Sequence, residues 1–491
     1  MTTHAPAPTP RATPPVKTHR TAAGLALPAL TALVVGSMIG SGIFALPSQM
    51  AGSAAPGPLL IGWLITGVGM LMLAFVFQGL AQRKPDVDGG VYGYARAGFG
   101  DYIGFTSAWG YWISAAVGNV AYLVLLFATL NYWFEGTFTD GTTTMAIVGA
   151  SVLLWLVHFL TISGVKNAAF ANVVVTIAKV VPIVTFIAIA AVGFSSGLFT
   201  QDFWGDSAGL GTTMDQVKNM MLVTVWVFIG VEGASVYSKR AAQRKDVGRA
   251  TVLGFVVVLA LLLAVNLLSY GLMAQAKIAG LADPSLAGVL EHEVGSWGAG
   301  FISAGLVISL LGALIAWVLL AVEILRLPAM EGVLPQGLGK DNAHGAPANA
   351  LWMTNLVTQA LLLWTLKDSS TYLDLIYLAT SLILLPYLWS AAYQVKLGLT
   401  GEAYADGHGR WRDLVVGAIA LGYSVWLVYA GGWEYVLVAA LFYLIGTALF
   451  VWARTTDKKQ LFTNVEKVLV AVVTAGAVAA VIGLAQGWVS V

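Results

Sequence analysis

The stretch GSMIGSGIF, Gly36 to Phe44, lies in the middle of the first long apolar run of the chain, residues 25 to 50. Gly36, Gly40 and Gly42 fall within a segment long enough to be a membrane helix, and each glycine costs about 1 kcal/mol relative to alanine, so the helix is weakest here. Inside a bilayer, N–H and C=O groups released by a break survive only where protein or a water-filled cavity satisfies them. An interrupted span is therefore a candidate ligand site. Spacing alone leaves a second reading open, since small residues also let membrane helices pack closely.

Composition sets the class around this stretch. Of 491 residues, 58% are hydrophobic and 10% charged. Soluble chains carry roughly 25% charge, so a polytopic, all-α membrane protein embedded in a lipid bilayer is expected. The absence of cysteine excludes disulfides, thiolate metal sites and a cysteine nucleophile. A net charge of +1 and six scattered histidines without an HExxH pattern give no sign of nucleic acid, metal or cofactor. With no Ser/His/Asp cluster and no large soluble loops, an enzyme is not expected. Residues 1–20, rich in Pro, Ala and Thr, read as a disordered tail and not as a signal peptide, because the first apolar run begins near Thr21 and is long enough to span.

About twenty apolar residues cross the hydrocarbon, and the chain holds about thirteen such stretches, among them 101–130, 217–238, 297–325, 350–366 and 464–486. Alternate connections hold the cations: Arg83, Lys84 and Arg96, then Lys239, Arg240, Arg244, Lys245 and Arg249, then Arg454, Lys458, Lys459 and Lys467. Opposite connections hold little more than Lys218, Lys277 and Lys367 as cations, alongside Glu135, Asp140, Asp202, Asp206, Glu291 and Glu293. This asymmetry predicts a cytoplasmic N-terminus in the cytoplasmic membrane.

Span six, MLVTVWVFIGVEGASVYSKR, places Gly230, Glu232 and Gly233 at mid-depth. A carboxylate there costs about 3 kcal/mol on insertion scales, so Glu232 should face a cavity or a partner. Spans one and six, five apart and both interrupted, point to a 5+5 inverted-repeat transporter core with helices 1 and 6 broken and the site between them. The expected division is the tail (1–20), a first repeat (21–200), a second repeat (201–400) and peripheral helices (401–491). At the first break the amides of Ser41 and Gly42 and the Ser41 hydroxyl, at the positive end of a half-helix, suit a substrate carboxylate. A helix-packing serine is the alternative.

GSMIGSGIF, WVFIGVEGAS in span six and AWVLLAVEILRLPAMEGVLP at the end of span eight together resemble the amino acid/polyamine/organocation superfamily. More narrowly, they resemble its basic amino acid/polyamine antiporters, over roughly residues 20 to 455. The thirteenth span resembles the longer arginine/ornithine and lysine carriers. The resemblance implies that carbonyls of Met38, Trp226 and Ile229 hold the substrate α-ammonium and that Trp317 stacks on its cationic side chain. It also implies that Ser114, Ala115 and Asn119 line the site, Asn119 reaching the distal head group, and that Tyr111 gates. The alternative for any one aromatic is core or interfacial belt.

Glu232 matches a gating and pH-responsive glutamate, or else bonds amides of the unwound turn. Lys179 in span five matches a lysine standing in for a sodium ion, or else snorkels to the surface. Glu323 belongs to an inner gate or pairs with Arg326, while Asp374 and His158 read as pore-lining or packing residues. The function implied is exchange of cationic amino acids, arginine for ornithine. A proton-coupled permease for lysine or another amino acid is the alternative, and a second copy of the chain is a candidate partner.

Overall fold

The computed structural model describes residues 26–163, 168–232, 243–368, 371–405, 407–458 and 460–489. The expected disordered tail, 1–20, lies outside them, as does the far half of span six beyond Glu232.

Span one is two pieces, α1 (Leu27–Met38) and α2 (Gly42–Ser53), bent by 47° at the glycine cluster. There follow α3 (Pro56–Arg83), the short α4 (Val91–Phe99), α5 (Asp101–Leu130), α6 (Thr144–Ile162) and α7 (Ala168–Gly193). The short helices α8 (Ser196–Thr200) and α9 (Thr213–Asn219) lead into α10 (Met221–Trp226), where regular helix stops. The chain continues through α11 (Arg244–Leu272), α12 (Gln275–Ala279), α13 (Ser285–Val294), α14 (Ser296–Met330) and α15 (Ala348–Asp368). It ends with α16 (Tyr372–Thr400), α17 (Arg410–Ala430), α18 (Trp433–Thr456) and α19 (Asn464–Gln486). No strand occurs among the described residues.

Among the described residues, ten helices are long and apolar enough to cross a membrane, or eleven with α1 and α2 taken as one bent span. Two further expected stretches are helical for part or all of their length but lie outside that set. The described part of span six holds the end of α9, α10 and the turns after Trp226, and α15 carries a polar row at helical spacing. That row is turned inward and paired. Thr354 Oγ1 accepts from Trp112 Nε1 at 2.9 Å, Asn355 meets His158 at 3.0 Å, and Gln359 Oε1 accepts from Trp155 Nε1 at 3.0 Å. His158 is thus a packing residue between α6 and α15.

Local chemistry sets several boundaries. Pro56 opens α3, and reciprocal capping boxes start α16 (Thr371 with Asp374) and α19 (Thr463 with Glu466), so Asp374 is a cap. The most deeply buried span is α5, a central post with α14 and α16 packed along it, whereas α19 is the most exposed. Charged residues from connections expected on one side meet at one end of the bundle. Arg96 pairs with Asp101 at 2.7 Å and with Glu331, Arg454 pairs with Asp101, Arg83 with Asp413, and Lys84 with Glu402. The Lys84 ammonium holds the exposed Glu402 carboxyl below its ordinary range.

Candidate functional site

The first break frees carbonyls. The helix ends at Met38 and Ile39 leaves helical geometry, and the Gly36 and Ile39 carbonyls accept hydrogen bonds from Lys179 Nζ at 2.8 and 3.0 Å. Lys179 is 5% exposed, so its ammonium turns into the break and does not reach for a surface. The Met38 carbonyl takes the Gly40 amide at 2.9 Å and keeps a second lone pair. Beyond the break, α2 starts at Gly42; the Phe44 amide donates to the Ser41 carbonyl at 3.1 Å, whereas the Ser41 and Gly42 amides ahead of it have no acceptor among the described residues.

The second break is a run of tight turns. Phe228, Ile229 and Val231 donate to the carbonyls of Val225, Trp226 and Phe228, so the Trp226 carbonyl already holds one amide. Gly230 has φ +105°, and a Cβ there would meet the Ser37 carbonyl at 3.1 Å, so only glycine fits. Ser37 Oγ shares its one proton between the Val34 carbonyl at 2.8 Å and the Gly230 carbonyl at 3.0 Å, the second contact linking the two breaks.

Glu232, 2% exposed, receives the Gly230 amide at 3.3 Å and the Tyr387 hydroxyl at 2.9 Å on Oε2, and the Tyr111 hydroxyl on Oε1. Both readings of Glu232 thus have a geometric basis, because it bonds the unwound turn and also two tyrosines from other spans.

Between the breaks lies a pocket of about 10 Å³, room for roughly one water molecule. Eight of the nine residues expected to bind substrate line it: Met38, Ser41, Gly42, Ser114, Ala115, Trp226, Ile229 and Trp317. Asn119 does not. It is fully buried on α5, with both side-chain amide atoms unpartnered among the described residues. The Trp226 ring fits because Gly42 and Gly118 lack side chains, since a Cβ at either would come within 3.0 or 3.2 Å of the indole.

A separate vestibule of about 440 Å³ reaches the basic end of the bundle past Lys84 and Arg326, and Tyr111 and Glu232 form its floor. Glu323 lines this vestibule and sits 3.6 Å from Arg326, which in turn pairs with Asp341 at 2.7 Å.

A family model described as amino acid permease matches residues 25–490. The chain belongs to that family. The permease is 56% identical to an arginine/ornithine antiporter of Pseudomonas aeruginosa, over 95% of this chain and 98% of the relative. It is 44% identical to an L-lysine transport protein of Corynebacterium glutamicum, over 94% and 95% of the two chains. It is 38% identical to an arginine/agmatine antiporter of Chlamydia abortus, over 86% and 88%.

Three tyrosines of the permease site were not singled out from sequence. Tyr387 on α16 completes the Glu232 cluster, and Tyr122 on α5 packs on Trp226 with ring centroids 6.0 Å apart. Tyr372, at the start of α16, bonds both Ser41 and Trp226. The one local signal was the Thr371-x-x-Asp374 cap, which marks where α16 begins and hence where Tyr372 stands.

Proposed function

We propose that this permease exchanges cationic amino acids across the cytoplasmic membrane, taking up arginine against ornithine, with its N-terminus in the cytoplasm. The observation that carries the reading is the pair of free amides at the head of α2, Ser41 and Gly42, aimed into a pocket walled by Trp226 and Trp317. The amides and the Ser41 hydroxyl suit an α-carboxylate, spare lone pairs at Met38 and Trp226 suit an α-ammonium, and an indole face suits a guanidinium or a second ammonium. High identity to an arginine/ornithine antiporter over nearly the whole chain supports the substrate class.

In this reading spans one to five and six to ten form two inverted halves around the pocket. Tyr111, Glu232 and Tyr387 close it toward the vestibule, and the pocket widens when substrate enters. Lys179 supplies at the first break the positive charge that a metal ion would otherwise bring. Arginine and ornithine both carry one positive charge near neutral pH, so one-for-one exchange moves no net charge. A homodimer is the proposed assembly.

The test is counterflow in vesicles reconstituted with purified protein. Ornithine-loaded vesicles should accumulate labelled arginine, empty vesicles should not, and a membrane potential should leave the rate unchanged. Equal uptake into empty vesicles under an inward proton gradient would contradict exchange. It would favour the second reading, a proton-coupled lysine permease, which the buried Glu232 and the lysine-transporting relative support.

A further inference from the structure

Tyr372 occupies the first turn of α16 and is held there by the cap beside it. Asp374 Oδ2 accepts from the Thr371 amide at 2.8 Å and from its hydroxyl at 2.7 Å, and Thr371 Oγ1 accepts from the Asp374 amide at 3.3 Å. The Tyr372 side chain is 4% exposed, and its hydroxyl touches two other spans. It accepts from Trp226 Nε1 at 3.3 Å and donates to Ser41 Oγ at 2.6 Å.

The direction of these bonds follows from the groups. An indole N–H only donates, so the phenol oxygen receives it and the phenol proton goes to Ser41. Ser41 Oγ is thereby an acceptor toward Tyr372, and among the described residues no protein acceptor takes its own proton. Ser41 lines the central pocket beside the first-turn amides of α2. The three groups form one chain of donors running from Trp226 through Tyr372 to Ser41 and into the pocket. Each bond in such a chain polarises the next.

We infer that Tyr372 is a positioning residue that presets Ser41 as a hydrogen-bond donor to the substrate α-carboxylate and fastens the Trp226 ring to the same clamp. Without the phenol, the Ser41 hydroxyl at the head of α2 is free to rotate toward backbone groups of the break, and its proton leaves the pocket. The effect belongs to the carboxylate and not to the side chain of the substrate. The inference rests on the amino acid exchange reading.

The test is a double-mutant cycle on the full chain in detergent, with arginine binding as the readout and a panel of the twenty amino acids and ornithine as probes. Tyr372→Phe, which removes one oxygen, should weaken arginine binding about tenfold, and Ser41→Ala should do at least as much. The double variant should bind no more weakly than Ser41→Ala alone. Trp226→Phe supplies a second arm. Its loss should be smaller when Tyr372 is already Phe than in an otherwise normal chain, because part of what the indole contributes runs through the phenol.

Independent losses that multiply in the double variant, or wild-type affinity in Tyr372→Phe, would overturn the inference. A panel in which other amino acids bind but arginine and ornithine do not contradicts the exchange reading instead. The cycle then runs on the tightest binder, because every probe carries the same carboxylate.

Discussion

The break in span one releases carbonyls and is met by a cation, whereas the break in span six releases an amide and is met by a carboxylate. Lys179 donates to the Gly36 and Ile39 carbonyls, while Glu232 accepts the Gly230 amide. A lone charge at mid-membrane costs about 3 kcal/mol, and unsatisfied peptide groups cost a similar amount each, so ion and break offset one another at both places.

The partners differ in kind. Lys179 donates to backbone carbonyls of a single span. Glu232 is shared between its own turn and two tyrosines, Tyr111 and Tyr387, from α5 and α16. The first break is thus tied to one further span through Lys179, and the second to two further spans through a shared carboxylate.

Four substitutions test this contrast. Lys179→Met leaves two carbonyls without donors and should lower exchange by about a hundredfold or more, read as initial arginine uptake into ornithine-loaded vesicles. Near-normal uptake would mean that the first break needs no cation. Glu232→Gln removes the charge and replaces one of the two accepting oxygens by an NH2 donor, with the side-chain size unchanged. Exchange should fall by about tenfold and depend less on pH, and an unaltered pH profile would reduce Glu232 to a bond within its own turn.

Trp317→Leu touches neither break and tests what they hold between them. Arginine affinity should drop by about tenfold through loss of the indole face, with the amount of inserted protein unchanged. Glu402→Gln is the surface counterpart. Its carboxyl is held below the ordinary range by Lys84, so any stability it adds is present above pH 4.5 and lost as pH falls through the lowered value. Because the pair is exposed, thermal unfolding and exchange near neutral pH should match the parent. A loss as large as that of Glu232→Gln would erase the distinction between buried and exposed charge.

Much of this architecture was legible in the chain. Three glycines in GSMIGSGIF marked the bend between Met38 and Gly42, and the polarity of single residues inside apolar runs marked Lys179 and Glu232. The alternation of basic and acidic connections put Arg83, Lys84, Arg96 and Arg454 on one side, but not the acidic partners Asp101, Glu331, Glu402 and Asp413 that they meet there.

The tyrosines were not legible, for a physical reason. A tyrosine in an apolar helix reads the same whether its hydroxyl reaches a membrane interface or another span. Tyr372 and Tyr387 gain their meaning from Ser41 and Glu232, which lie 331 and 155 positions away in sequence. Asn119 shows the converse. Its spacing from Tyr111 and Ser114 put it on their face of α5, yet helix packing buries it away from the pocket lining.

The central claim is that a substrate amino acid is clasped between the two breaks. A cryo-electron microscopy structure of the permease with saturating arginine tests it most directly. The account predicts the carboxylate within hydrogen-bond distance of the Ser41 and Gly42 amides, the cationic head against Trp317, and a widened pocket. Arginine found only in the vestibule beyond Tyr111 and Glu232, with the pocket still the size of one water, would contradict it.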